Sequence, residues 1–560
     1  MTVTPARQAP EPRSAGATPS SRHRAAAARP IRFALLRLIT AGVMAVIMAD
    51  TVATTMAIPA LVDDTMTRGI PLPQLTWIST INFAVIAALL ATAGRCADLL
   101  GRRGLLALGL ALFAGGAVGA VIAVDWPILL AGRLVQGIGA AMIIPASLGM
   151  LLSELPLERR GGAIALWSSA GGVGALALHG FGGLLLEMYG WRALYLPSAI
   201  IGLALLVLTP GLPRSRPGVR RMPDLIGAVA LVCASGALVL LISQAGIWDW
   251  RPTLLCAVGA MVLLDLAVVR SRRHPAAAVD TTLWRRPGFA WGGIATFAYG
   301  LLCFPVLAIA PLFLRDAGVD AGQIGTWLVP MSLAVIVASP LAAIAGRRTG
   351  VHAIIYLGSL AVGSASVLLL AHPEPGRWSL VASIVLGAGF GAMATGASSA
   401  GTLTVEPAQH GAAVGAITTT RMLGGALGVA AASTVISHAV TEGPEAGYAL
   451  VLIGCLLIAA LTGALSIVQV IRGRGRALGV ATVAVTNAQV TVPRRLLLEL
   501  RASFVQISAE ADNALARLAP APAAMPLSAP TMADALPDRR PPPAWPSHQP
   551  TNTPVLRHPL

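Results

Sequence analysis

Apolar runs long enough to cross a bilayer recur along this chain from residue 35 to residue 471, broken by short polar segments. A hydrocarbon core of ~30 Å needs about twenty apolar residues in helical form. Runs of that kind lie at 35–61, 75–94, 104–123, 127–152, 162–188, 193–211, 224–246, 252–269, 288–314, 322–345, 351–371, 378–403, 410–439 and 447–471. They predict fourteen transmembrane helices. The seventh and eighth are separated only by Ile247 to Arg251. Residues 1 to about 31 are rich in Ala, Pro, Ser and Arg and read as a disordered tail. The tail and first run make a poor signal peptide, since the run is long, carries Asp50 and lacks a small-residue cleavage site. Beyond Arg476, Leu497, Leu500, Phe504, Ile507, Ala511, Leu515 and Leu518 recur at helical spacing. That stretch reads as an amphipathic helix that could lie on the membrane or dock an accessory protein, and the Pro- and Ala-rich remainder as disordered.

Composition agrees with a bilayer as solvent. Of 560 residues, 56% are hydrophobic and 11% charged, against about 25% charged in soluble chains. A net charge of +16 invites a nucleic-acid reading, but the position of the charge argues against one. Every basic residue is arginine, and with the N-terminus inside, 24 of them fall in cytoplasmic segments near the spans. Only Arg68, Arg192, Arg251, Arg315 and Arg377 fall in outer loops. This is the asymmetry that sets membrane topology, and it places both termini in the cytoplasm. The absence of lysine removes a Walker A loop and Schiff-base chemistry. Cys96, Cys233, Cys256, Cys303 and Cys455 stand singly, without metal or redox spacing. No metal cluster, nucleophile triad or phosphate loop is present, so neither an enzyme nor a cofactor is expected.

Charge inside the spans is rare and therefore informative. Asp50 lies eleven residues before Leu61 in the first span, ~16 Å below its outer end. An aspartate there costs roughly 2.5–3.5 kcal/mol or more, and is a functional candidate by default. Arg133 lies six residues into the fourth span, ~9 Å below the same surface, with Gln136 one turn deeper. Arg421 sits well inside the thirteenth span with no acid on its own helix. Thr54, Asn82, Trp167 and Tyr299 are further polar positions that could line a cavity.

Five motifs give these residues a context. Gly94-Arg-Cys-Ala-Asp98-Leu-Leu-Gly101-Arg102-Arg103 resembles the G-x-L-A-D-R-x-G-R-R loop of the major facilitator superfamily. Asp50-Thr51-Val52 with Ala57-Ile58-Pro59, the run Arg133 to Gly139, Trp191-Arg192, and Arg421 to Gly428 follow at their expected spans. With Asp224-Leu225-Ile226-Gly227 opening an extra helix pair, the chain is similar to the fourteen-span drug:proton antiporter branch of that superfamily. The resemblance covers roughly residues 35–471. It implies an all-α membrane fold: a first six-helix bundle at 35–211, an inserted pair within 212–287 and a second bundle at 288–471, between tails at 1–34 and 472–560.

The resemblance also implies a substrate cavity between the bundles, and bundles that rock to alternate access. It makes Gly94, Asp98, Gly101, Arg102 and Arg103 a conformational latch, with Leu99 standing where a basic partner is usual. It brings Asp50 and Arg133 to one cavity, as a proton-coupling pair. In the fifth span the family's Gly-Pro pair is replaced by Leu178-His179. The substitution removes a helix-bending ring and places an imidazole at a depth similar to that of Asp50, where it either relays protons or makes a local packing bond.

The expected function is proton-coupled export of amphipathic or cationic organic compounds, from a bacterial inner (plasma) membrane. The expected partners are the organic substrate, protons and the lipid bilayer, with no nucleic acid. A same-fold exporter of one metabolite with altered coupling, and a non-transporting sensor or scaffold, are the alternatives. The topology is directly testable. Reporter fusions should place both termini and residues 270–287 in the cytoplasm and residues 62–74 outside; terminal reporters on opposite faces would refute it.

Overall fold

A computed structural model gives an all-helical chain. It describes residues 19–155, 157–213, 224–245, 247–274, 277, 281–402, 404–405, 410–439 and 444–487. Residues through Gly479 form one compact unit. Val480–Leu560 is a second unit, described only over 480–487, where the chain is helical. The patterned stretch at Leu497–Leu518 lies outside the described residues.

Among the described residues, fourteen helices fall on the predicted runs. The first half of the chain supplies α1 (Pro19–Asp63), α2 (Trp77–Leu100), α3 (Arg102–Val121), α4 (Trp126–Ser153), α5 (Leu157–Tyr189) and α6 (Leu196–Leu208). Next come α7 (Leu225–Ser243) and α8 (Trp250–Arg273), at the place of the expected pair. The second half supplies α9 (Pro287–Asp316), α10 (Ala321–Thr349), α11 (Val351–Ala371), α12 (Arg377–Thr402), α13 (His410–Ala439) and α14 (Pro444–Asn487). Thirteen are long and apolar enough to cross a membrane. The remaining one, α2, has its apolar part at Trp77–Leu90 and runs for 24 residues in all. The sixth crossing joins a 3₁₀ turn at Trp191–Tyr195 to α6 and a second turn at Thr209–Gly211. Helix α1 begins at Pro19, ahead of the span read from the sequence; the alanines at 25–28 favour that extension.

Local chemistry fixes the helix ends. Asp125 caps α4 by accepting from the Ile128 N–H at 2.8 Å, and Asp224 caps α7 from the Gly227 N–H at 2.9 Å. Asp224 also accepts from Arg270 Nε at 2.8 Å, which ties the start of α7 to the end of α8. Gly101 (φ 84°) separates α2 from α3, and Gly350 (φ 88°) separates α10 from α11. The two turns occupy equivalent places in the two halves, and both need the left-handed region that glycine reaches without strain.

Close backbone approach holds the halves together. Lipid gives little hydrophobic drive between helices, so small residues that admit tight packing supply the adhesion. A Cβ on Gly183 of α5 would collide with the Gly322 carbonyl of α10, and one on Gly325 would collide with the His179 carbonyl. Thr76 Oγ1 donates to Ser433 Oγ of α13 at 3.0 Å. Arg315 of α9 pairs with Asp63 of α1. These cross-half contacts gather toward the end of the bundle that carries Asp63, Trp77, Tyr189 and Arg315. The main apolar core crosses the same boundary, taking Phe304, Ala308, Met422, Ala426, Val429 and Ala430 from the second half.

This seam predicts a conformational effect. In a cysteine-free background, Gly325→Leu should part α5 from α10. Maleimide labelling of a cysteine placed at the fully buried Met56, which packs against Gly182 and Gly325, should then rise severalfold in purified protein. Unchanged labelling would mean that this glycine contact does not hold the seam shut.

Candidate functional site

A buried ion pair lies in the first half of the chain. Asp50 projects from α1, Arg133 and Gln136 from α4, and Ser198 from α6. Arg133 Nη1 donates to Asp50 Oδ2 at 3.0 Å and to Oδ1 at 3.2 Å. Gln136 Nε2 donates to Oδ1 at 2.7 Å and Ser198 Oγ to the same oxygen at 3.1 Å. Arg133 also donates to Gln136 Oε1 and, through Nε, to the Ile78 carbonyl of α2 at 3.0 Å. Its guanidinium carbon lies 5.3 Å from the centre of the Tyr195 ring. Asp50 is 3% exposed and Arg133 1%. A pair so thoroughly removed from water survives only because hydrogen bonds complete it on both sides.

Helix spacing explains why these groups meet. Arg133 and Gln136 are three residues apart and so share one face of α4. Glycines around them let α4 lie close to its neighbours: Gly132 and Gly139 pack on α3, and Gly137 on the Asn82 backbone of α2. Ser198 is the only polar residue of α6, and that lone hydroxyl in an apolar helix was the available signal for a partner that sequence reasoning missed. Tyr195 was missed too; it lies in the 3₁₀ turn that follows Trp191-Arg192.

The other candidates are dispersed. Thr54 donates to the Asp50 carbonyl at 2.8 Å and so satisfies its own helix. Asn82 Nδ2 lies 3.5 Å from the Arg133 carbonyl. Trp167 is buried, with its Nε1 unpartnered. Tyr299 packs edge-on against Phe390, ring centres 6.2 Å apart, within the second half. Arg421 is partly exposed, with Nε buried and unpartnered. His179 is 1% exposed; its Nδ1 lies 2.7 Å from Ser332 Oγ of α10, and its Nε2 has no partner. The imidazole therefore bridges the two halves.

The latch residues are divided. Gly94 and Gly101 flank the end of α2, and the Asp98 side chain lies outside the described residues. Arg102 donates to the Gly149 carbonyl and Arg103 to the Leu212 carbonyl at 3.1 Å, both within the first half. At the opposite end, Asp64 follows α1. Partial burial opposes its ionisation, but the Met66 N–H, the Trp191 Nε1–H and the Arg192 charge outweigh that and hold its carboxyl below the usual range.

Comparison with known proteins places this geometry. The Major Facilitator Superfamily pattern matches residues 40–429, a stretch that contains Asp50, Arg133, His179, Tyr299 and Arg421. The chain belongs to the major facilitator superfamily. It is 29% identical over 408 residues to the cephamycin export protein CmcT of Amycolatopsis lactamdurans, covering 70% of this chain and 83% of that one. It is 30% identical over 438 residues to the puromycin resistance protein pur8 of Streptomyces alboniger, covering 73% and 83%. Among solved structures, a POT family transporter in complex with a thioalcohol-conjugated peptide superposes with a TM-score of 0.60 at 13% identity, over 78% of this chain and 96% of that one; at such identity the likeness concerns the fold. This superfamily member is a multi-pass membrane protein and a secondary active transporter.

The ion pair predicts a coupled stability effect. Arg133→Leu strands a buried carboxylate and should cost about 3–5 kcal/mol, visible as a lower thermal midpoint in detergent. Adding Asp50→Asn should restore much of that loss, since no unpaired charge then remains. A double variant as unstable as Arg133→Leu would show that the two residues are not energetically coupled.

Proposed function

We propose that this superfamily member is a proton-driven exporter of drug-sized organic molecules, with Asp50 as the proton carrier and Arg133 as its switching partner. The observation that carries the reading is the buried Asp50–Arg133 pair with its Gln136 and Ser198 donors. A carboxylate held by a guanidinium in a dry site is stable while ionised. A proton that reaches it removes the attraction and leaves Arg133 without its counter-charge. Such a site has two arrangements of different packing, which is what alternating access requires. The export and resistance roles named for the relatives favour outward movement of substrate.

Arg133 is placed to pass that change to the seam between the halves. Its Nε holds the Ile78 carbonyl, and Ile78 lies two residues from Thr76, which bonds Ser433 across the seam. Trp77, between them, donates to Ser243 of the inserted pair at 3.2 Å. Release of Arg133 from Asp50 therefore acts on the end of α2 that closes against α13. By the arginine distribution this is the outer end, so the conformation described is closed outward. In this reading His179 stabilises the closed seam through Ser332, and its second nitrogen meets water when α5 and α10 part.

The decisive experiment is transport in sealed vesicles with an imposed pH gradient. Asp50→Asn keeps the size of the side chain and its hydrogen-bonding capacity but cannot exchange a proton. It should abolish gradient-driven export while the protein still inserts and binds substrate. Asp50→Glu should retain part of the activity. Accumulation against a gradient by Asp50→Asn at the parent rate would refute the role assigned to Asp50.

A further inference from the structure

Arg421 is a partly exposed cation well inside α13, and no ion pair to it is present among the described residues. Ion pairs among the described residues include Arg133–Asp50, Arg192–Asp64, Arg270–Asp224, Arg315–Asp63 and Arg315–Asp316. Arg421 is in none of them, and its buried Nε lacks any hydrogen-bond partner. It stands eleven residues into α13, ~16 Å from that helix's start, so the side chain cannot be credited to a helix end. Nor is it turned to lipid. Arg421, Gly425 and Gly428 share one stripe of α13 by their four- and three-residue steps. Those two glycines pack on Phe304 and Pro305 of α9, and the Phe304 ring lies 4.6 Å from that of Phe83 on α2. The stripe thus faces the junction of α2, α9 and α13. The Arg421 carbonyl packs against Gly300 of α9, the residue after Tyr299.

The charges of the interior settle the sign of what can bind there. Asp50 is matched by Arg133, so together with Arg421 the three groups sum to one positive charge. Protonation of Asp50 removes the one negative member and leaves the interior more positive still. Neither proton state offers a cation a partner at these residues. A guanidinium whose Nε is buried without a hydrogen-bond partner is costly unless a ligand completes it. The planar fork of the guanidinium matches a carboxylate.

From this we infer that Arg421 is the recognition residue for an anionic group on the substrate, and that the transported class is organic carboxylates carried on an apolar body. The inference rests on the transport reading above and narrows it.

The test uses the purified full chain and three fluorescent probes that share one apolar body: dansyl-leucine, dansyl-leucinamide and a dansyl quaternary ammonium. The parent should bind the carboxylate about tenfold or more tightly than the amide, and the ammonium weakest. Arg421→Gln should shrink the carboxylate preference to about threefold or less with little change for the amide, and Arg421→Lys should keep an intermediate preference. Thermal unfolding checks that the variants are folded. Because removal of an unpaired charge does not strand a partner, Arg421→Gln should unfold no earlier than the parent. A carboxylate preference that survives in folded Arg421→Gln, or a parent that binds the ammonium as tightly as the carboxylate, overturns the inference.

A lipid headgroup could supply the same anion. If phosphatidylglycerol in otherwise phosphatidylcholine vesicles abolishes dansyl-leucine binding to the parent, the site belongs to lipid and the substrate assignment falls. Binding needs no gradient, so the two readings fail separately. Export of the ammonium probe that depends on Asp50, with no carboxylate preference, refutes only the role of Arg421. Carboxylate binding that depends on Arg421, with no gradient-driven export, refutes only the coupling.

Discussion

The constraint on which the rest depends is that a charge buried away from water must be matched. Arg133 and Arg421 both lie well inside membrane-spanning helices, and the fold treats them differently. Arg133 is enclosed by Asp50, Gln136, the Ile78 carbonyl and the Tyr195 ring. To bring groups from α1, α2, α4 and α6 to one point, the helices must approach closely, and glycines such as Gly132, Gly137 and Gly139 permit it. The pair is therefore both a product of tight packing and a reason for it. If water reached Asp50 freely, the carboxylate would be stable without Arg133, and the coupling of charge to packing would weaken.

Much of this was legible in the sequence. Each helix announces itself by length and hydropathy, because a segment in lipid must satisfy its backbone internally and so has few alternatives to a helix. Asp50, Arg133 and Gln136 stood out because polar residues in apolar runs are rare. Their meeting was legible only by way of the resemblance, since spacing along one chain does not say which faces of separate helices turn together. Ser198 was missed for a related reason: a single hydroxyl usually satisfies its own helix, as Thr51 and Thr54 do here. His179 shows the limit from the other side. Its depth was readable, but its partner Ser332 lies 153 residues away in the other half.

The seam has a physical logic of its own. Contacts that must open cannot be as costly to break as the core of a half, and they are made accordingly. Glycine against backbone, a threonine against a serine, and an imidazole against a serine hydroxyl give close fit without a buried charge to strand. The ion pair that crosses the halves, Arg315 with Asp63, lies at the exposed end, where water can replace each partner and the net value of such a pair is modest. The Gly-Pro pair usual in the fifth span would have bent α5 at this seam. With Leu178-His179 the helix runs unbroken from Leu157 to Tyr189, and the polar atom that bridges to α10 comes from a side chain.

Separation of the strongly held charge from the weakly held seam lets one protein be both stable and mobile. All the side chains that bond Asp50 belong to the first half, so the energy of the pair does not by itself resist movement between halves. What joins them is a single strand of contacts along α2, from the Ile78 carbonyl held by Arg133 to Thr76 and Trp77 at the seam. A change at Asp50 need not break the core to be felt there; it need only release one guanidinium from one carboxylate. Arg421, on the other half and unmatched, completes the arrangement: it lies on the α13 stripe that faces α9, while the neighbouring Met422 and Ala426 pack against the first half. A ligand bound to it would thus touch the same boundary that Arg133 reaches from the opposite side.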